Sequence, residues 1–439
     1  MQAYSELGVY ISSFHQVQLH YMSLTYSQFL SDSSLAHART FRDPLWKDIS
    51  VPKYLIEVAQ SPSFIKLGRI KQLGVAFHLY PGAVHTRLSH SLGVFHLSRR
   101  IISSLLRRNA DDGLLTIDGV RHFLAATLLH DIGHFPFTHS LKELPLKSHE
   151  QLATELIEND RILSTALRNA ALNTNIISDI IDEKRPTTDE EVLLYRSILS
   201  GALDPDKLDY LNRDAYFAGV PYGIQDVSYI TDHLCLHQGE LAIGFEALGS
   251  VQHLLFSKYL MYRNVYWHKT VRSATAMIKR YLYENLNKGT LDEEQLYDLD
   301  DESFFLLSQI KRPFGSLLTR VRENRFFKPV VEELYDENNP IHTDALSLKQ
   351  RSMYEERIEK RLNLPSGSIV LDIPERVSFE SDIPVVRDRT FLGAFEDIDP
   401  LFTRSRALEF TSSLRTVRLF ADPTVESRML LRAWESIHE

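Results

Sequence analysis

"LLHDIGHFPFTHS", residues 128–140, sets three histidines and an aspartate at the end of an apolar run. The preceding "GVRHFLAAT" repeats apolar residues at three- and four-residue spacing, which predicts an amphipathic helix through Leu128 and Leu129. Pro136 disfavours the α conformation in the residue before it, so the helix is expected to run to about Phe135. On such a helix His130 and His134 share a face, with Asp131 beside His130 and one turn from His134. Imidazole nitrogen and carboxylate oxygen together make a good site for a divalent transition metal. The other reading is a helix end capped by histidines. An adjacent His130 and Asp131 after an apolar run, with His134 and His139 close by, favours the metal.

A metal needs more ligands, and two further stretches offer them. "HTRLSHSLGV", residues 85–94, holds His85, Arg87 and His90, with His90 on the helix face continued by Val94 and Leu97. In "GALDPDKLDYLNRDAYFAGV", residues 201–220, Asp204 is a candidate N-cap and Pro205 suits the first helical position. Asp206, Tyr210 and Asp214 then form one stripe at four-residue spacing, flanked by Lys207 and Arg213. A solvated, salt-bridged helix would show the same stripe. With His90, His130 and Asp131 available, Asp206 becomes a candidate fourth ligand. In "KSHEQLATELI", Ser148 and Gln151 make a capping-box pattern that starts a helix with His149 in its first turn. The positive end of the helix dipole there suits a phosphate neighbour, and equally an ordinary surface helix.

The rest of the chain bounds the function. It has 439 residues, 44% apolar and 24% charged, which is an ordinary globular composition. The net charge is −9 with no basic arm, so strong nucleic-acid binding is not expected. Cys235 is the one cysteine, so no internal disulfide can form. The first thirty residues do not read as a signal peptide, and no apolar run is long enough to span a bilayer. A cytoplasmic location is the expectation, with no membrane partner. Residues 1–50 are an N-terminal segment without assignment, 51–290 are predominantly helical, and 291–363 read as a helical extension. Residues 364–439, with "SIVLDIPERVSFESDIPVV", read as a small mixed α/β region. The fold class expected is therefore mainly α.

Taken together, "HTRLSHSLG", "LLHDIGHFPFTH", "KSHE" and "LDPDKLDYLNRD" resemble, in order and spacing, the HD-domain phosphohydrolases. Within them the branch that looks most similar is the deoxynucleoside triphosphate triphosphohydrolases, with the match running from about residue 60 to 280 and no SAM domain. The resemblance implies a helical HD core over 51–290 and a metal held by His90, His130, Asp131 and Asp206. It implies hydrolysis of a nucleotide at the α-phosphorus to nucleoside and tripolyphosphate. His139 matches the acid that protonates the leaving oxygen, with His134 and His149 as supporting histidines. Arg87 and Lys207 match phosphate-binding positions; Tyr210, Asp214, Gln72 and Tyr266 match sugar contacts. Lys258, Tyr262, Tyr266 and Lys269 fall on one helical stripe, which packing with snorkelling lysines would also produce. Lys258 stands where the family can have a phosphate-binding arginine. Mixed His/Asp ligation fits Mn, Fe, Ni, Zn or, less well, Mg. A nucleotide substrate and a homo-oligomer, dimer or tetramer, are the partners implied.

Two departures stand out. Lys142 occupies the position where relatives carry a carboxylate to orient the acid histidine, and Glu143 is next to it. Gln60 and Gly68 stand where the vertebrate enzyme reads an activating guanine nucleotide, so that activator site is not predicted. HD chemistry also serves phosphodiesterases and guanine-alarmone hydrolases. A nucleotide-binding assembly protein with weak catalysis is the reading that Lys142 favours.

Overall fold

A computed structural model describes residues 24–108, 113–379 and 381–437 of the chain. It is 57% helical with 12% strand, so the protein is mainly α. The first twenty-three residues, and with them most of the segment read as lacking a signal peptide, lie outside the described residues.

Four helices frame the centre: α1 (Arg87–Arg107), α2 (Ile117–Leu129), α3 (His149–Asn159) and α4 (Pro205–Ala218). α1 packs on both α2 and α4. Val94, Phe95, Leu97, Ile101 and Leu105 of α1 are buried with Val120, Phe123 and Leu124 of α2 in one core. Each such side chain contributes about 1.5–3 kcal/mol when fully buried, so packing of the apolar faces holds these helices more than propensity does. Their starts follow the local signals. Thr116 accepts from Gly119 N, Ser148 and Gln151 close a capping box, and Asp204 accepts from Lys207 N ahead of Pro205.

The end of α2 departs from the expectation of a helix to about Phe135. The helix stops at Leu129 with His130 as its C-cap, and residues 131–134 turn back. The Ile132 amide donates to Leu129 O and the His134 amide to Asp131 O. The turn presses Gly133 against α3, where a Cβ would overlap the His149 carbonyl and the Ala153 amide nitrogen. This tertiary contact, and not Pro136, ends the helix, so His130 and His134 do not share a helical face. Gly133→Ala is expected to cost about 1–3 kcal/mol by overpacking. An unchanged urea midpoint for that variant would contradict this contact.

Strands arise in the unassigned N-terminal segment, in segments read as helical and in the C-terminal region. β1 (His37–Asp43) and β2 (Lys47–Pro52) form an antiparallel hairpin. Within 51–290, β3 (Leu234–His237) and β4 (Glu240–Gly244) pair across Gln238 and Gly239, both at positive φ as a tight hairpin requires. Within 291–363 lies β5 (Lys328–Leu334), and the C-terminal part adds β6 (Ile369–Asp372), β7 (Pro384–Arg387), β8 (Thr390–Ala394) and β9 (Thr416–Ala421). The strand orders are β3-β4-β7-β8, parallel between β4 and β7, and β5-β9-β6. The extension read as helical is thus partly sheet, because β5 finds its partner β9 far along the chain. α5 (Leu248–Met261) continues as one π-helical stretch, Tyr262–Tyr266, before α6 (Lys269–Asn287) begins. That break dissolves the expected stripe of Lys258, Tyr262, Tyr266 and Lys269.

Candidate metal centre and active site

The C-cap of α2 and the turn after it, with the first turns of α1 and α4, bring His90, His130, Asp131 and Asp206 near one another. The His90 Nε2 lies 2.8 Å from Asp206 Oδ1 and 3.8 Å from Asp131 Oδ2. The His130 Nε2 lies 3.5 Å from Asp131 Oδ1 and 3.9 Å from Asp206 Oδ1. Donor atoms of His90, His130 and Asp131 all lie within 4.8 Å of one another, close enough to share one ion, and Asp206 adjoins them through His90 and His130. The tautomers agree. His130 Nδ1 is 2.8 Å from the Thr127 carbonyl, which can only accept, so Nδ1 carries the proton and Nε2 has a free lone pair. That buried Nε2 has no hydrogen-bond partner. The set fits a divalent ion of the Mn, Fe, Ni, Zn or Mg kind.

Charge is balanced tightly here. Burial alone would raise the Asp131 carboxyl, but His134, His130 and Arg87 hold it well below the usual range. Burial alone would lower His90; hydrogen bonds to Asp206 and Asp209 outweigh it and carry the ring up to about 10. An ion at His90 Nε2 must therefore displace a proton at neutral pH. Apparent metal affinity is expected to weaken by about tenfold for each pH unit lowered below that value. Calorimetry in buffers of different ionisation enthalpy counts the released proton, and a zero count would contradict it.

Beside the four donors, His134, His139 and His149 place ring nitrogens within 4.8 Å of one another. His134 Nδ1 faces the Asp131 carbonyl at 3.1 Å, and its Nε2 is 3.1 Å from His139 Nε2. Since the carbonyl only accepts, His134 Nε2 is the bare nitrogen and His139 Nε2 holds the proton between them. Burial, then the Arg87 charge, keeps both rings well below the ordinary histidine range. The His139 ring is nonetheless exposed toward the cavity. Lys142 adds to the depression of His139. Glu143 turns away from His139 and is taken by Lys279 and Arg351.

His90, His130, Asp131 and Asp206, with His139, Lys142 and His149, face a cavity of about 430 Å³. Arg87 donates from Nη1 to Asp131 Oδ2 at 2.8 Å, and Lys207 from Nζ to Asp204 Oδ2 at 2.6 Å. Gln72 lies in the wall with its Oε1 buried and without a hydrogen-bond partner. Tyr210 and Tyr266 stand edge to face with centroids 6.5 Å apart. The Tyr266 hydroxyl donates to Asp214 Oδ2 at 2.7 Å, and His85 Nε2 meets Asp214 Oδ1 at 2.8 Å. Lys258 does not follow the others: it is buried with its ammonium 5.8 Å from the Phe379 ring centroid and is not among the described lining residues. Lys269 is also outside, facing Glu332. Conversely, Lys71, Arg272, Glu375 and Arg376 line the cavity although sequence reading passed over them. Nothing local marks "IPERV" as a cavity wall. His85, in contrast, stood inside a motif already singled out.

Comparison with known proteins agrees with this geometry. The HD domain family model matches residues 87–214, and the HD associated region matches 225–413. An uncharacterised protein of Methanocaldococcus jannaschii is 32% identical over 307 residues, covering 69% of this chain and 62% of its own length. The deoxynucleoside triphosphate triphosphohydrolase SAMHD1 of Mus musculus is 27% identical over 57% of this chain and 44% of its own. The crystal structure of a hypothetical protein from Aquifex aeolicus superimposes with a TM-score of 0.67 at 27% identity, covering 91% of this chain and 98% of that one. The chain spans roughly three fifths of the length of the first curated relatives it matches. No helix among the described residues is long and apolar enough to cross a membrane. With the His/Asp cluster inside the matched HD segment and its associated region following, the chain belongs to the HD-domain phosphohydrolase superfamily, on the side of it that holds the SAMHD1-like proteins.

Proposed function

We propose that this protein is a metal-dependent hydrolase of (deoxy)nucleoside triphosphates that releases nucleoside and tripolyphosphate. The observation that carries this reading is one cavity holding both halves of the task. The donors His90, His130, Asp131 and Asp206 share its wall with Arg87 and Lys207 and with Tyr210, Asp214 and Tyr266. A bound divalent ion supplies Lewis acidity and lowers the pKa of water. Arg87 offers a planar fork and Lys207 a point charge to phosphate oxygens. Asp214, held by His85, aims the Tyr266 hydroxyl and leaves little freedom to that end of the cavity. His139, when its ring carries a second proton, is the acid for a leaving ribose oxygen, with His134 beside its Nε2. Gln72 offers its unpartnered Oε1 to a sugar hydroxyl. Self-association into dimers or tetramers and a cytoplasmic location belong to the same proposal, and sedimentation velocity tests the former.

The test is a metal-supplemented assay against the common ribo- and deoxyribonucleoside triphosphates, with products identified by mass. Tripolyphosphate with nucleoside is the expected pair. Pyrophosphate or a nucleoside monophosphate would move the reading to an alarmone hydrolase or a phosphodiesterase. A second reading, a nucleotide-binding protein of weak catalysis, is favoured by one observation: the Lys142 charge lowers His139 further, and the neighbouring Glu143 pairs with Lys279 instead of orienting it. It predicts thermal stabilisation by nucleotide with negligible turnover.

A further inference from the structure

Behind His90, on the side away from the cavity, lies a closed network of buried charge that the chemistry above does not use. Asp209, one turn into α4 from Asp206, is fully buried, as is Arg213. Asp209 Oδ2 accepts from His90 Nδ1 at 2.8 Å and from Arg213 Nε at 2.8 Å. Its Oδ1 accepts from Arg213 Nη2 at 2.9 Å and from the Trp46 indole Nε1 at 2.5 Å. Arg213 reaches on from Nη1 to Asp43 Oδ2 at 2.7 Å. Asp43 Oδ1 in turn accepts the backbone amides of Leu45 and Trp46, both at 2.9 Å, which fixes the turn that presents the indole. Gly93 makes room for this: a Cβ on that turn of α1 would overlap the Asp209 carboxylate and crowd the Arg213 guanidinium.

Each contact has one direction. Trp and Arg only donate, so all four acceptor sites of Asp209 are committed and its carboxylate cannot rotate away. A carboxylate that accepts from Nδ1–H keeps the proton on that nitrogen and turns Nε2 toward the metal donors as the position an ion would take. A partner of this kind both orients a ligand and raises its basicity. The two outer members, Asp43 and Trp46, belong to the β1–β2 hairpin, well before the matched HD segment begins at residue 87.

We propose that the Asp209–Arg213–Asp43–Trp46 network is the positioning apparatus of the metal centre, and that the β1–β2 hairpin is thereby part of it. These four are positioning residues: they act on the ion through His90 and touch neither ion nor substrate. The inference rests on the metal role of His90 proposed above and not on any substrate. A network serving only the fold would hold α1, α4 and the hairpin together and leave metal affinity alone.

The experiment is a titration of the metal-free full chain with Mn²⁺, followed by electron paramagnetic resonance of the free ion. The visible spectrum of the Co²⁺-loaded protein is a second readout. Asp209→Asn lets an amide donate to Nδ1 and so selects the wrong tautomer; its Kd for Mn²⁺ is expected to rise about 10–100-fold. Trp46→Phe keeps an aromatic side chain, though a smaller one, and removes one N–H donor, and Asp43→Asn weakens the hold on Arg213. Both are expected to fold, by circular dichroism, and to raise Kd in the same direction by a smaller factor, with a shifted Co²⁺ spectrum. If Asp209→Asn does not fold, these two decide. Folded Trp46→Phe and Asp43→Asn proteins with wild-type Kd and wild-type Co²⁺ spectrum would overturn the proposal. Wild-type protein that binds neither ion would instead remove the metal role of His90 itself, and the proposal with it.

Discussion

Asp131→Asn is expected to abolish metal binding and to lower turnover by about 10³-fold or more. Its Oδ1 lies 3.5 Å from His130 Nε2, and its Oδ2 lies 3.8 Å from His90 Nε2 and accepts from Arg87. Asparagine keeps the volume and one acceptor oxygen, so Arg87 retains a partner. It removes the charge that balances a divalent ion in a site where little water competes. Lewis-acid stabilisation is worth several kcal/mol, and about 4 kcal/mol corresponds to a thousandfold in rate. Alanine would be a poorer choice, since stranding a buried guanidinium costs about 3–5 kcal/mol and confuses stability with catalysis. Metal content after dialysis and product release from a nucleoside triphosphate are the two readouts. A variant that keeps both takes Asp131 out of the ligand set.

Lys142→Asp is expected to raise kcat by about tenfold and to move the alkaline limb of its pH profile upward. The proton on His139 is in short supply: burial first, then Arg87, His149 and Lys142, hold its pKa well below the ordinary value. A group with a lowered pKa is protonated only at low pH, so at pH 7 the acid form is a small fraction. Removing the ammonium and adding a carboxylate both act in the direction that raises it. General-acid catalysis is worth about 10²–10⁴-fold when the donor is well placed, and a partial repair recovers part of that range. Lys142→Ala separates loss of the cation from gain of the acid. If instead KM rises and the profile stays in place, Lys142 serves anion binding, and the reading as a weakly catalytic nucleotide-binding protein gains.

The caps and apolar faces of the central helices were legible because they are local. A capping box spans three residues and a helical face repeats within four, so "KSHEQ" and "DPDK" announce their own structure. The grouping of His90, His130, Asp131 and Asp206 was also within reach, since residue types with one chemical use recur in separate motifs and the family resemblance joins them. Other features have no local signature. α2 ends at Leu129 because Gly133 meets α3, which depends on where α3 packs. β5 is a strand because β9 lies beside it, and a π-helical stretch after Lys258 breaks the regular spacing that would put it on one stripe with Tyr266 and Lys269. The Arg213–Asp43 pair joins residues far apart in the chain, and its strength comes from full exclusion of water at their meeting point. Which residues could carry the chemistry was written in the order of amino acids; which histidine nitrogen is bare, and what holds it so, was decided only when the chain closed on itself and buried charge had to find its partners.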